Sequence, residues 1–178
     1  MRSAVTWGVL AMIASGPALA GPKVAVMPLD LADQTAESAL TSDPYLVLSR
    51  PKISVEERKR LELATREMER QLHERLQLEI VDVGPFAPEI GQAAPFYKCD
   101  ACELPIARKA GADLVVTGNI QKITLMILNL NVMIRDAVSG HIAGTYTVPL
   151  RDNSDAGWLR GVAKVIEQHV AARGGQAR

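Results

Sequence analysis

The sequence predicts an α/β fold with a mixed five-stranded sheet, in two or three layers, and elements in the order β-α-β-α-β-β-β-α. Valine-rich segments at residues 23–29, 78–83 and 113–120 have the character of strands, and helical patterns separate them. Right-handed crossovers would make these three strands parallel. A fourth strand is expected at 122–135, where the first half is apolar on both faces, as in a covered strand, and the second half alternates. With a fifth strand at 141–148 it would form a hairpin that adds antiparallel strands to the same sheet.

The composition is that of a folded chain without a surface suited to nucleic acid. Of the 178 residues, 48% are apolar and 4% are aromatic, and 20 Lys and Arg balance 20 Asp and Glu. A high apolar content at zero net charge argues against disorder. Nucleic acid is not an expected partner, because there is no basic excess and few rings on which bases could stack.

The first 20 residues have the pattern of a secretory signal peptide. Arg2 precedes an apolar run at residues 4–13, and residues 18–20, Ala-Leu-Ala, place small side chains before a cleavage site at Gly21. The alternative is an N-terminal membrane anchor. It is disfavoured because the run is short and is followed by Pro17.

The rest of the chain is expected to be one exported domain in the periplasm. It would span residues 21–173, with a frayed tail at 174–178. No Cys lies at the cleavage point, so no lipid anchor is predicted there. A chain of about 150 residues buries roughly 70% of its unfolded surface, which is enough for a core without disulfides.

The first helix is predicted by its cap and by its apolar spacing. A polar loop at residues 30–53, long for a connection inside a domain, separates it from the first strand. Ser54 and Glu57 have the spacing of a capping box and open a helix that runs to about residue 76. Its buried stripe would comprise apolar residues three or four apart: Leu61, Ala64, Met68, Leu72 and Leu76.

A loop, a short helix and a C-terminal helix complete the pattern. Three prolines argue against regular structure at residues 84–97, and a short helix at about 102–110 would end at Gly111. Asn153 or Ser154 would cap the last helix. The buried stripe of that helix would comprise Leu159, Val162, Ala163, Ile166 and Val170.

Cys99 and Cys102 are predicted to form a disulfide, because they lie in the exported part of the chain. Haem attachment would need a His after the second Cys, where Glu103 stands. A zinc site would need two more ligands, but the three His residues are scattered singly. A thioredoxin-like redox pair at the start of a helix remains as the alternative to a structural disulfide.

Two acidic residues, Asp30 and Asp33, follow the first predicted strand and are candidates for a ligand or cation loop. Parallel sheets gather ligands at the carboxyl ends of their strands, and carboxylate oxygens suit hard cations. The competing interpretation is that these carboxylates are solvated or cap local turns.

Trp158 is expected at the edge of the buried stripe of the last helix, near Arg151 and Arg160. We favour a role at the edge of the core. The alternative is a partner-binding anchor, since an exposed aromatic residue with adjacent arginines is typical of interaction hot spots.

Motifs of catalysis are absent from the sequence. It contains no Gly-rich phosphate loop followed by Lys, no Gly-x-Ser-x-Gly elbow and no helix with paired His ligands. No enzyme activity, cofactor or metal is therefore expected.

Three segments resemble the TolB N-terminal-like domains of bacterial envelope proteins, which include a domain of the curli secretion protein CsgG. Residues 23–29, KVAVMPL, are similar to their first strand, and residues 107–118, ARKAGADLVVTG, to their helix-to-strand junction. Residues 135–142, RDAVSGHI, are similar to their hairpin turn. The chain also resembles small secreted bacterial proteins of unknown function that carry a Cys-x-x-Cys pair.

The resemblance implies a TolB N-terminal-like architecture that serves in binding and adaptor work. Fold alone does not assign a function. We therefore expect a non-catalytic binding domain of the cell envelope, with an envelope protein or a small ligand as its partner. The alternatives are a periplasmic thiol-disulfide protein that uses Cys99 and Cys102, and an accessory protein of a periplasmic oxidoreductase system.

Overall fold

The computed structural model describes residues 21–34, 53–124 and 126–176. The predicted signal peptide and most of the polar loop predicted at 30–53 lie outside these ranges. The described residues form a mixed α/β fold with one six-stranded sheet and four α-helices.

The sheet has the predicted parallel part and the predicted hairpin. Its strands are β1 (Lys23–Val26), β2 (Asp30–Asp33), β3 (Glu79–Val81), β4 (Leu114–Lys122), β5 (Leu128–Asp136) and β6 (Ile142–Leu150). They lie in the order β3-β1-β4-β5-β6, and β2 also pairs with β4. β1 is parallel to β3 and β4, whereas β5 runs antiparallel to both β4 and β6.

The prediction of five strands was wrong, because β2 is a sixth strand in the segment expected to be loop. β1 pairs with residues 114–116 of β4, and β2 pairs with residues 119–122 of the same strand. Pro28 lies between them and has no N–H to donate, so the long edge of β4 is matched by two short strands.

The helices are α1 (Val55–Leu76), α2 (Ala87–Ala93), α3 (Leu104–Lys109) and α4 (Asp155–Gln176). The capping box of α1 is confirmed, since Glu57 N donates to Ser54 Oγ and Ser54 N donates to Glu57 Oε2, both at 3.0 Å. α2 and the 3₁₀ turn Gly84–Phe86 replace the loop expected there. Their prolines lie in first turns, where an N–H is not needed.

The connection between β4 and β5 also differs from the prediction of a strand over 122–135. A tight turn follows Lys122, in which Ile123 N donates to Ile127 O at 2.9 Å. The apolar side chains that suggested a covered strand are instead exposed at the turn, Met126 by 85% and Ile127 by 53%.

Two cores lie on opposite faces of the sheet. α1 and α4 cover one face along its whole width, from β3 to β6. α2, α3 and the 3₁₀ turn Phe96–Lys98, called here the 96–98 turn, cover the other face over β1 and β4. The fold therefore has three layers over its parallel part and two layers over β5 and β6.

The buried stripe of α4 is rotated from the predicted one by about one residue. Trp158, Val165 and His169 are buried, whereas Leu159 is half-buried and Val170 is 41% exposed. Ser154 caps this helix, as one of the two predicted candidates, by accepting a hydrogen bond from Gly157 N at 3.0 Å. Among the described helices, none has the length and apolar character of a membrane span.

Candidate functional site

One sheet face is open over β5 and β6. In β6, the side chains of Thr145 and Thr147 are exposed on the side opposite α4, because alternate residues of a strand point to opposite faces. Asn131 lies beside them in β5, pairs with Thr147 in the register, and is half-buried. The sheet thus presents neutral polar side chains where no helix of the described chain covers it.

Hydrogen bonds across three strands order this open face. Thr147 Oγ1 donates to Asn131 Oδ1 at 2.9 Å, and Asn131 Nδ2 donates to Gln121 Oε1 at 3.4 Å. Asn119 and Asn129 form no side-chain hydrogen bond to another described residue. These two side-chain amides are available to hydrogen-bond a ligand. They lie next to the hydrogen-bonded ladder of Thr147, Asn131 and Gln121, which links the three strands.

A cavity of about 100 Å³ adjoins the open face. The aromatic residues Phe96 and Tyr97 form one wall, and Asn119, Asn131 and Thr145 line it from three strands. Tyr97 is 39% exposed, whereas Phe96 is buried. The cavity therefore combines an aromatic wall with amide and hydroxyl groups.

Asp30 fixes the 96–98 turn against the sheet. Its Oδ2 accepts a hydrogen bond from Phe96 N at 2.7 Å. Burial raises the pKa of Asp30 from 3.8 to about 6, although the hydrogen bond from Phe96 acts in the opposite direction. A carboxyl of the sheet edge therefore positions the aromatic wall of the cavity.

The cation loop predicted at Asp30 and Asp33 is not formed by these residues. They lie three apart in β2 and so face opposite sides of the sheet: Asp30 contacts Phe96, and Asp33 contacts Lys122. Within the described ranges, no group of three or more His, Cys, Asp or Glu side chains could hold a metal ion. The physical reason is that the predicted loop is a strand, which separates neighbouring carboxylates.

Asp33 belongs to an ion cluster that joins three elements. Lys122 Nζ of β4 lies 3.2 Å from Asp33 Oδ2 and 3.1 Å from Glu57 Oε1 of α1. Burial lowers the pKa of Lys122, but its hydrogen bonds to Glu57 and Asp33 outweigh that effect and raise it. For the Glu57 carboxyl, burial acts to raise the pKa, but the hydrogen bonds from Ser54 and Lys122 outweigh this effect, so its pKa is lowered overall. The cluster stabilises the fold.

Cys99 and Cys102 lie with their Sγ atoms at disulfide-bonding distance, and their Cα atoms are 6.0 Å apart. Both residues are half-buried in the segment between the 96–98 turn and α3. The pair thus joins the end of the turn that carries Phe96 and Tyr97 to the start of α3. It connects the aromatic wall to the covered part of the sheet.

A buried carboxylate, not expected from the sequence, follows the second cysteine. Glu103 is 1% exposed, and its Oε1 lies 3.4 Å from Arg135 Nε but has no hydrogen-bond partner among the described residues. Arg135 Nη2 also lies 3.1 Å from Asp100 Oδ1. No sequence pattern signals this contact, because β5 brings Arg135 to the cysteine segment only in the folded chain.

Trp158 is 1% exposed, so the indole is not the exposed anchor that the alternative interpretation requires. Its Nε1 donates to Asn153 Oδ1 at 3.2 Å, and the Arg60 guanidinium lies 5.3 Å from the ring centroid. The packing of α4 against α1 buries the indole, in line with the favoured interpretation of a residue at the edge of the core. Arg151 and Arg160 remain exposed beside it.

A second contact without a sequence signal joins the half-buried Tyr146 to the buried His169. Tyr146 Oη and His169 Nδ1 are 2.6 Å apart, and the two rings meet edge to face. In the sequence, His169 is only one of three scattered His residues. The hydrogen bond joins β6 to α4 and satisfies two polar groups inside the protein.

The comparison with protein families assigns the chain to one of them. Residues 22–170 match the model of the family described as "Protein of unknown function (DUF2380)". The chain belongs to this family. The match covers nearly all of the described fold, so the family model corresponds to the sheet and its helices. The comparison with curated proteins gave no match.

Solved structures with a similar fold come from bacterial envelope proteins. The C-terminal domain of LpoB from Salmonella enterica has 14% identity and a TM-score of 0.50, over 76% of this chain and 87% of that one. The same domain of Escherichia coli LpoB has 13% identity and a TM-score of 0.48, over 78% and 89% of the two chains. TolB from Acinetobacter baumannii has 14% identity and a TM-score of 0.40, over 85% of this chain and 29% of that one. At such identities the likeness concerns the fold alone.

Proposed function

We propose that this family member is an exported, non-catalytic binding or adaptor domain of the bacterial cell envelope. The observation that carries the proposal is the open face of β4, β5 and β6, with its ladder of amide and hydroxyl groups. Its neutral polar groups suit hydrogen bonding to an envelope protein. The aromatic wall beside it adds apolar contact area, as binding surfaces commonly do.

Export to the periplasm belongs to the same proposal. The first 20 residues have the pattern of a signal peptide, and residues 21–173 would form the mature domain. A cysteine pair at bonding distance suits an oxidising compartment. The likeness to envelope domains such as that of LpoB is consistent with this location.

Site-directed capture would test the proposal. The tagged full chain is expressed with export, cross-linked in cells and purified from the periplasm, and the adducts are identified by mass spectrometry. The double variant Thr145→Arg, Thr147→Arg places two bulky charges on the open face at exposed positions. We expect a partner that the wild type captures and that this variant loses.

A matched control places the same change on the other face of the sheet. The control double variant Val55→Arg, Val170→Arg likewise introduces two arginines at exposed positions, here in place of valines on α1 and α4. It should capture the partner as the wild type does. Equal capture by both double variants, or no specific adduct with the wild type, would contradict the proposed function.

A thiol-disulfide function is the second candidate. It is favoured by the half-buried cysteine pair with the buried carboxylate of Glu103 directly after it. A redox protein would have a potential near or above that of thioredoxin, about −270 mV, whereas structural disulfides lie below about −300 mV. Equilibration of the exported chain with glutathione or dithiothreitol buffers would measure this value, and a potential below the structural limit would exclude the function.

A further inference from the structure

A groove of about 420 Å³ lies between the free edge of β6 and the neighbouring face of α4. The lining residues of α4 recur three or four positions apart and include Gly157, Arg160, Gly161 and Lys164. Arg151, which follows β6, lies at the end of the groove. The groove is on the helix-covered side of the sheet and is therefore distinct from the open polar face.

Two glycines bring the helix close to β6. A Cβ at Gly161 would meet the side chain of Leu150, and a Cβ at Gly157 would meet Asp152. Because neither residue has a side chain, Leu150 and Asp152 pack directly against the helix backbone. The longer side chains of the same helix face form the walls.

The walls carry three cations. Arg160 Nη2 lies 2.8 Å from Asp152 Oδ2, and Lys164 Nζ lies 3.3 Å from Glu167 Oε2, with all four side chains at least 45% exposed. Ion pairs this exposed contribute little to stability, so a new carboxylate can replace the present partner at little cost. Arg151 forms no ion pair or hydrogen bond with any described residue.

The adjacent edge of β6 has an unused backbone. Within the described chain, β6 pairs with β5 on one side and with no strand on the other. Pro149 has no N–H, so its nitrogen is expected to face away from β5. Because the pattern repeats every second residue, the N–H and C=O groups of Thr147 and Thr145 face the same free edge.

We propose that an extended acidic segment of a partner protein adds to the sheet along β6 and places its carboxylates in this groove. A strand at that edge points every second side chain toward α4, and there Arg151, Arg160 and Lys164 supply the complementary charge. The backbone hydrogen bonds of the added strand select a polypeptide over other anions. The inference rests on the proposed function, because it specifies how an envelope partner is held.

The binding of a defined peptide would test the inference. The probe is a fluorescein-labelled peptide of nine residues, the length of β6, in which Glu and Thr alternate. Fluorescence anisotropy with the exported full chain at low salt should show saturable binding. The triple variant Arg151→Glu, Arg160→Glu, Lys164→Glu should bind the peptide at least tenfold more weakly. If this variant is unstable, the triple variant with Gln at the same three positions should also bind the peptide more weakly than the wild type.

Three controls separate the charge from the edge pairing. The control triple variant makes the same change of charge at exposed positions of α1: Arg58→Glu, Lys59→Glu, Arg66→Glu. Its affinity for the peptide should stay within about twofold of that of the wild type. A peptide with Lys in place of Glu, and one N-methylated at alternate residues, should both lose binding. Absence of saturable binding, equal weakening by the two Glu triple variants, or unchanged affinity of the N-methylated peptide would overturn the inference. Partner capture through the open face would still test the proposed function separately.

Discussion

Asp30 shows how one side chain can serve the fold and oppose it at the same time. Its carboxyl accepts a hydrogen bond from Phe96 N and so fixes the 96–98 turn, but its burial raises its pKa to about 6. The folded state therefore binds the proton more tightly than the unfolded state does. Stability from this group is present at low pH and is lost as the pH rises from about 4 to about 6.

Asp30→Asn is expected to raise the free energy of unfolding at pH 7.5 by about 1 kcal/mol and to have little effect at pH 4. The amide oxygen can still accept from Phe96 N, while the cost of burying a charge disappears. Urea denaturation of both proteins between pH 4 and pH 8 would measure the difference. A difference that does not change with pH would show that the ionisation of Asp30 is not involved.

Arg135→Met is expected to lower the free energy of unfolding by about 3 kcal/mol, because it leaves the buried Glu103 carboxylate without its cation. The double variant Glu103→Leu, Arg135→Met removes both charges and should be more stable than the single one. Denaturant unfolding of the wild type, the two single variants and the double variant gives the coupling between the two residues. A double variant as unstable as the sum of the two single changes would mean that the side chains act independently.

At the scale of elements, helix ends and strand ends depend on single residues. α1 begins with the predicted capping box, but it ends at Gln77, whose φ of 56° lies in the left-handed region. Glycine is the residue favoured at such a C-terminal position. The sequence offers no Gly there to mark the end of the helix.

Gln77→Gly is expected to raise the free energy of unfolding by about 1 kcal/mol, because it relieves a backbone conformation that L side chains disfavour. Gln77→Ala is the matched control, since it also removes the side-chain hydrogen bond to Glu74 O but keeps the Cβ. Thermal and urea unfolding would compare the two. If the Gly variant is no more stable than the Ala variant, the helix end is not strained.

The start of β5 gives a second test between adjacent residues. Ile127 is 53% exposed in the turn, whereas Leu128 is 1% exposed in the first position of the strand. Ile127→Ala should change stability by no more than about 0.5 kcal/mol, and Leu128→Ala should cost about 3 kcal/mol. Similar losses for both would support the continuous covered strand that the sequence suggested, and would contradict the turn.

At the scale of the whole molecule, Trp158 reports on the packing of α1 against α4. If the proposed signal peptide with Trp7 is removed, Trp158 is the one tryptophan of the chain. Its emission is expected to lie at short wavelength, and its quenching by acrylamide should be several-fold weaker than in urea-unfolded protein, because the indole is 1% exposed. Quenching equal to that of the unfolded chain would contradict this burial and restore the anchor hypothesis.

Much of the architecture could be predicted because it depends on local patterns. Parallel strands, the hairpin and the first and last helices follow from apolar periodicity and from caps such as Ser54 with Glu57. The sixth strand β2 could not be predicted, because its four residues include two aspartates and gain their partners only from the length of β4. The rotation of α4 escaped prediction because adjacent apolar residues, Trp158 and Leu159, leave the direction of the buried stripe ambiguous.

The candidate site depended still more on tertiary contacts. The cysteine pair and the exposed Arg151 and Arg160 were visible as residues, but the groove needs the approach of α4 to β6. The polar face of β5 and β6 is open because no described helix covers it, and the sequence does not show where the helices pack. Asp30 and Asp33, three positions apart in sequence, are separated because a strand turns them to opposite faces.

By itself, the sequence determined the fold class, the parallel arrangement of the three valine-rich strands, the antiparallel hairpin and the proximity of the two cysteines. These follow from short-range spacing, which the backbone geometry of helices and strands converts into structure. Only the tertiary structure decided that Trp158 is core, that Glu103 meets Arg135, and that three cations lie beside an edge of β6 that no described strand pairs. The physical reason is that burial and ion pairing depend on which distant segments pack together, and residues far apart in the chain carry no local mark of that contact.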